Sequence, residues 1–248
     1  MAKRSYHHGD LRRTLLDAAI ALLESEGLAA LSLREVARRA GVTHGAPYHH
    51  FQDRAALLSA IASEGFELLR GSMEGAQAAV GPRADERLGA SGRGYVGFAL
   101  RHPAHFRVMF RPELAGLPGG GPEGGGAYQL LVDTVLACQR EGLAPQGDPA
   151  PLVLLCWSAV HGLASLWLDG SLAGAGREPG EGEALAAQLA GTLTALMASG
   201  APRKVAATRK APAAGKAAAP GKAVAASAPS QAPAASPARR RRLHLDSD

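Results

Sequence analysis

Ser32-Leu33-Arg34-Glu35-Val36-Ala37-Arg38-Arg39-Ala40-Gly41-Val42-Thr43-His44-Gly45-Ala46-Pro47-Tyr48-His49-His50-Phe51 is the stretch that decides the fold. Ser32 and Glu35 have the Ser-x-x-Glu spacing of a capping box, which starts a helix. Leu33, Val36, Ala37 and Ala40 share its inner face. Gly41 supplies a left-handed stop. Val42 is apolar and plugs the angle between two helices. Thr43 is the next N-cap. A second short helix then runs to about Phe51, and Asp53 caps a longer helix containing Leu57, Leu58 and Ile61. Two short helices joined by a tight turn with Gly are a helix-turn-helix. That geometry places the N-terminal residues of the second helix on base edges in the major groove. Thr43, His44, Gly45 and Ala46 form that set, and the small residues at 45 and 46 admit a close approach of backbone to DNA. Tyr48, His49 and His50 can donate to phosphates, with Arg34 and Arg54 offered from the flanking helices. Pro47 falls in the first turn, where it disfavours helical geometry at Ala46 and predicts a distorted start.

Outward from this segment the pattern stays helical. Leu11, Leu15, Leu16, Ala19, Ile20, Leu22 and Leu23 make one stripe, which Gly27 ends. Further helices are predicted near 53–74, 84–101, 103–110, 127–141, 149–169 and 182–198. No stretch keeps the alternation of a strand, so the fold class is all-α. Gly-rich breaks at 116–126 and 174–182 read as loops. The predicted organisation is a DNA-binding head over 8–55, a connecting helix over 53–74, a helical body over 75–200 and a tail over 201–248.

The 248 residues carry a net charge of +5, and the sign is divided along the chain. Residues 201–248 hold ten Lys/Arg against two Asp, whereas residues 1–200 hold seventeen Lys/Arg against twenty Asp/Glu. The basicity therefore belongs to the tail, and any case for DNA binding by the head must be local. Ala, recurrent Pro and no aromatic residue make the tail read as disordered. It is either a solubilising extension or a sequence-independent DNA attachment that raises salt dependence. In the second case the whole chain could act as an architectural, nucleoid-associated DNA binder.

Cys138 and Cys156 cannot build a disulfide framework and read as buried spectators. Residues 1–13 lack the apolar core of a signal peptide, so a cytoplasmic protein is expected. The uncharged run from Pro149 to Leu168 is long enough to span a bilayer, but Pro, Ser, His and Gly within it and acidic flanks make it read as a buried helix. No nucleophile has a base at usable spacing, and the Gly-rich 116–126 stretch ends without Lys-Ser/Thr, so no catalytic residue is assigned. His7-His8 lacks a third ligand, so neither metal nor cofactor is expected.

The head resembles the DNA-binding domain of the TetR (tetracycline repressor) family. The matching residues are Leu33-Arg34-x-Val36-Ala37-x-x-Ala40-Gly41-Val42-Thr43-x-Gly45-x-x-Tyr48-x-x-Phe51-x-x-Arg54-x-x-Leu57, within a likeness covering about residues 8–70. The resemblance implies a three-helix head, an all-α ligand-binding and dimerisation body, and a homodimer on a palindromic site in double-stranded DNA. It implies that Arg34 and His44 reach bases while Ser32, Thr43, Tyr48, His49 and Arg54 hold phosphates. Trp157-Ser158-Ala159-Val160-His161-Gly162-Leu163, with Tyr6-His7-His8-Gly9-Asp10-Leu11, is similar to a subgroup marked by Trp-His-Gly in a late helix.

In the body, Phe98, His102, His105, Phe106, Met109 and Phe110 gather soft and aromatic side chains, either as core or as the wall of a pocket for a small apolar effector. His161, on an apolar helix, is either a satisfied core residue or a ligand contact. Trp157 is placed with the pocket. Leu163, Leu166, Trp167, Leu189, Leu193 and Leu196, on the last two helices, are the candidates for the dimer interface.

Overall fold

One stripe of the first helix, Leu15, Leu16, Ala19, Leu22 and Leu23, is withdrawn from solvent, as the apolar spacing demands. The computed structural model describes residues 8–114, 126–172 and 179–200. They lie in a single compact unit. Eight α-helices are described: α1 (His8–Glu26), α2 (Leu33–Ala40), α3 (Arg54–Ala78), α4 (Ala84–Arg101), α5 (Pro103–Met109), α6 (Ala127–Arg140), α7 (Ala150–Leu168) and α8 (Pro179–Ser199). The described residues contain no strand. The 201–248 tail, His7 with the His8 side chain, and the Gly-rich stretch 116–125 lie outside the described residues. The other Gly-rich stretch is partly described: Pro179–Gly182 already belong to α8, three residues earlier than periodicity placed its start.

Local chemistry fixes the helix ends. Gly27 and Gly41 close α1 and α2 at positive φ, 78° and 68°, Gly41 in the left-handed helical region. The Gly41 N–H donates to the Ala37 and Arg38 carbonyls, and the Val42 N–H to Ala37 at 3.0 Å, so orphan carbonyls at the helix end are satisfied. Asp53 accepts from the Ala56 N–H at 2.8 Å and starts α3. Ser32 accepts from the Glu35 N–H at 3.2 Å. The Glu35 carboxylate turns to Arg38 instead of returning to Ser32, so only half of the capping box forms.

The 25-residue α3 runs unbroken from the head into the body. It crosses α4 where glycine permits contact of backbone with backbone. A Cβ at Gly94 would stand 2.7 Å from the Ser72 carbonyl oxygen and 3.0 Å from the Met73 Cα. Neither atom can swing away, so Gly94→Ala must part the helices. We predict a loss of about 2 kcal/mol and a fall in Tm of roughly 4–8 °C, read by thermal denaturation. The same change at Gly71, where a Cβ meets nothing within 4 Å, leaves Tm unchanged or raises it. An unshifted melting point for Gly94→Ala would contradict this crossing.

The expectation for the apolar run 149–169 is corrected. Only Val153, Cys156, Val160 and Ala164 of the nineteen residues of α7 are buried. Leu154, Leu155 and Leu166 stand 59%, 48% and 47% exposed. The helix is long and apolar enough to cross a membrane by length and composition, but one stripe of it belongs to the core, with Val153, Val160 and Ala164 fully turned inward.

Candidate nucleic-acid interface and interior cavity

The head is built on the cluster of Leu15, Leu22, Leu33, Val36, Phe51 and Leu57. Arg12 lies over the Phe51 ring at 5.6 Å, a cation–π contact that fixes the end of the turn segment. The segment after Gly41 departs from the predicted helix. It forms a short 3-10 turn at Ala46–His49, preceded by Gly45 with no side-chain cap, so Thr43 is not its N-cap. Pro47 is the cause: it lacks an N–H, and its buried ring anchors the turn. The Ala46 N–H donates to the Thr43 carbonyl at 3.0 Å, and the N–H groups of His50 and Phe51 both donate to Pro47 at 2.9 Å.

This anchoring leaves a polar surface. Ser32, Arg34, Thr43, His44, Gly45, Tyr48 and His49 are exposed, and Ala46 is half-buried. No hydrogen bond or ion pair to another described side chain holds Arg34, Thr43, His44, Tyr48 or His49. Tyr48, at 53% exposure, is one of the large apolar side chains left in solvent. Arg54, expected at a phosphate, is also engaged within the head. Its Nε donates to the Leu31 carbonyl at 2.9 Å and its Nη2 to Leu28 at 3.1 Å, so it clamps the 3-10 turn Leu28–Ala30 onto α3 instead of standing free.

The body holds a partly open cavity of about 50 Å³. Phe66, Leu69 and Met73 face it from α3, and Leu88, Ser91, Gly92 and Tyr95 from α4. Ala127, Tyr128 and Leu131 contribute from α6, Cys156, Trp157 and Val160 from α7, and Ala190, Leu193 and Thr194 from α8. Phe110, just past α5, closes one side. Among the described residues no charged side chain lines it. The Ser91 hydroxyl is occupied, accepting from Gln77 Nε2 at 2.6 Å, so the wall is predominantly apolar.

Of the predicted pocket residues, Phe110 and Trp157 line the cavity, whereas Phe98, His102, Phe106, Met109 and His161 do not. Phe98 and Met109 are core residues. Met109 lies where a Cβ at Gly65 would meet its Sδ at 2.5 Å, so it packs α5 onto α3. His102 stacks on Phe98, with ring centroids 5.3 Å apart, and burial and the neighbouring His105 hold it below the usual imidazole range. Phe106 and His161 lie behind Phe110, on an open groove. Leu193, predicted at a dimer interface, lines the cavity instead. Trp167 packs within the chain against Gly182 on α8. Leu163 and Leu189 are half-buried, while Leu166 and Leu196 are exposed, Leu196 at 61%.

Sequence reasoning missed Tyr95, Tyr128 and Phe66. The Leu88-Ser91-Tyr95 spacing on α4 was the available sign of a common inner face. It also missed a charged link between head and body. His105 Nε2 donates to Glu64 Oε1 at 3.3 Å, and Arg13 on α1 donates to Glu64 Oε2 at 2.8 Å. Arg13 is half-exposed, so the link positions three helices more than it stabilises them.

Cys138 and Cys156 are both buried. Burial pushes their thiols up to about 12 and about 11. Thiolate is the reactive form, so a thiol reagent at pH 8 should modify neither cysteine in the native protein and both in denaturant. Rapid native labelling would refute this packing.

Two family models match this chain. Residues 15–61 match the bacterial regulatory proteins of the tetR family, and residues 88–193 match the tetracyclin repressor-like C-terminal domain. The chain belongs to the TetR family. Its members are transcriptional regulators with an N-terminal DNA-binding domain. This TetR-family chain is 30% identical over 139 residues to the A-factor receptor protein of Streptomyces griseus, covering 55% of this chain and 48% of that one. It is 44% identical over 52 residues to the HTH-type transcriptional regulator AcrR of Shigella flexneri, covering 21% and 24%. The matches thus span about half or less of these curated relatives. Among solved structures, a protein of unknown function from Rhodococcus sp. RHA1 shares 35% identity at TM-score 0.67, covering 79% of this chain and 100% of that chain. A tetR-family regulatory protein from Rhodococcus RHA1, 20% identical at TM-score 0.57 over 75% and 96% of the two chains, shares the fold.

Proposed function

We propose that this protein is a cytoplasmic, ligand-responsive homodimeric repressor that binds a palindromic operator. The observation that carries the reading is the side-chain set left without partners around an anchored turn. Arg34, Thr43, His44, Tyr48 and His49 project together from the face around the turn that Pro47 anchors. Arg34 and His44 read bases; Ser32, Thr43, Tyr48 and His49 hold phosphates, and Gly45 and Ala46 admit the sugar-phosphate backbone closely. Arg54 contributes by fixing the head.

We assign the head to residues 8–55 and the body to 75–200, joined by α3. The exposed face of α7, with Leu155 and Leu166, and the flank of α8 with Leu189 and Leu196 pack against a second copy. Two heads then reach successive major grooves roughly 34–36 Å apart. In this reading the cavity is the effector site, and the likeness of Trp157, His161 and Gly162 to the Trp-His-Gly pattern supports membership of that subgroup. The Streptomyces relative is a receptor for A-factor, which supports a ligand-responsive role here. Effector binding acts by preferring one spacing of the heads over another. The α5 segment, touching the cavity through Phe110 and the head through His105, Glu64 and Arg13, is the route.

The test is selection from a randomised duplex library by the full-length protein at about 0.15 M salt, where phosphate contacts alone are weak. One enriched palindrome is expected. Uniform recovery of all sequences would replace this reading with that of an architectural binder.

A further inference from the structure

Behind Phe110 lies an open groove of about 290 Å³, lined by Phe106, Arg107, Arg111, His161, Ser165 and Asp169 among others. Phe110 is common to the groove and the cavity, so one side chain stands between an apolar chamber and a polar one. His161 sits on that boundary. Its ring centroid lies 4.6 Å from that of Phe110 and 5.2 Å from that of Phe106.

The protons on His161 can be assigned from its partner. Tyr95 Oη and His161 Nδ1 are 2.8 Å apart. Burial raises the Tyr95 phenol far above its usual range, so it keeps its proton and needs an acceptor. Burial also lowers His161, so the imidazole is neutral at neutral pH, with one donor and one acceptor nitrogen. The phenol therefore donates to Nδ1. The opposite tautomer would leave the phenol proton without an acceptor in an apolar wall. His161 then carries its hydrogen on Nε2. No described side chain accepts it, and among the described residues no fully buried side-chain nitrogen or oxygen is orphaned. Nε2 is thus reached from the groove that His161 lines.

Two guanidiniums share that groove. Arg107 uses one nitrogen on the Leu168 carbonyl, at 3.3 Å, and Arg111 uses Nε on Glu113. Both keep further donors. Asp169, the one carboxylate among the described lining residues, is at the exposed end of α7. The groove therefore presents donors, and the chamber behind Phe110 presents hydrocarbon.

We propose that the effector is an amphiphilic monocarboxylate. Its carboxylate is received in the groove by the His161 Nε2–H and the Arg107 and Arg111 guanidiniums, and its apolar tail passes Phe110 into the cavity. The tail enlarges the cavity, which is smaller than the several hundred Å³ of an occupied ligand site. Tyr95 is a positioning residue, holding the tautomer that puts the donor on Nε2. The inference rests on the cavity being the effector site.

The test uses three probes with one tail: octanoate, octan-1-ol and octylamine. Binding is read by calorimetry and by Trp157 fluorescence in full-length protein carrying Trp167→Phe. Octanoate should bind about tenfold or more tighter than octanol, the range of charge-assisted hydrogen bonds, and octylamine more weakly than both. Arg107→Ala and Tyr95→Phe should each weaken octanoate about tenfold and octanol by far less, a difference between the two probes that general loosening would not produce. Thr194→Phe, which fills the cavity from α8, should weaken octanoate and octanol alike. Equal binding of all three probes overturns the carboxylate assignment and leaves the effector cavity standing. Octanoate binding indifferent to Thr194→Phe overturns the placement of the tail. Silence with every probe overturns both.

Discussion

Replacing Leu155 and Leu166 together by aspartate is expected to convert the protein to a monomer of 25.4 kDa with its helix content intact. Both side chains are about half-exposed in the single chain. They sit on the face of α7 opposite the buried Val153, Val160 and Ala164. A Cβ at Gly162, on the same outward face, meets nothing within 4 Å. Aspartate at these positions therefore disturbs little of the packing among the described residues. In a dimer each leucine loses contact worth about 1.5–3 kcal/mol, and each carboxylate adds a desolvation cost. Twofold symmetry applies the change in both copies. The dissociation constant should rise by more than about a thousandfold, since roughly 4 kcal/mol suffices for that factor. Sedimentation equilibrium reads the mass, and circular dichroism with a thermal melt checks the fold. A double variant that sediments as a dimer would move the interface elsewhere. A wild type that is monomeric but partitions onto lipid vesicles would assign this apolar face to a membrane surface.

The second large effect is expected at the head. Arg34→Ala combined with His44→Ala should weaken binding to the selected palindrome by about a hundredfold or more, because each lost base contact costs roughly 1–3 kcal/mol. Affinity for unrelated duplex should fall far less, since phosphate contacts by other groups carry it. Neither side chain is tied to another described group, so the melting temperature should stay within about a degree of wild type, as for ordinary surface changes. Fluorescence anisotropy with the palindrome and a scrambled duplex, at one fixed salt concentration, measures the ratio. An equal loss on both duplexes would assign Arg34 and His44 to phosphates and leave base reading to other residues of the turn.

What could be read along the chain was whatever local chemistry controls. The Ser32 cap, the Gly27 and Gly41 stops, the Asp53 cap and the apolar stripes each act within a few residues. The helices α4, α5, α6 and α7 accordingly lie within a residue or so of where periodicity put them. The head's exposed polar set was legible for the same reason, because residues that do not fit the inner face must turn outward. Pro47 announced a disturbance in sequence. Its result, a 3-10 turn replacing a helix, depended on the ring being buried against the rest of the head.

Tertiary structure decided what depends on neighbours distant in sequence. Arg54 looked like a free cation until the Leu28 and Leu31 carbonyls came within reach of its guanidinium. The aromatic and soft residues at 98–110 read along the chain either as core or as a pocket wall. Packing sends Phe98 and Met109 into the core and leaves Phe110 at the cavity. The cavity joins five helices and the residue closing α5, so no single helix's periodicity encodes it. The run 149–169 shows the limit most plainly. Its composition specifies an apolar helix. Which side of that helix meets its own core, and which remains for a partner, follows from how few helices one chain can pack around it.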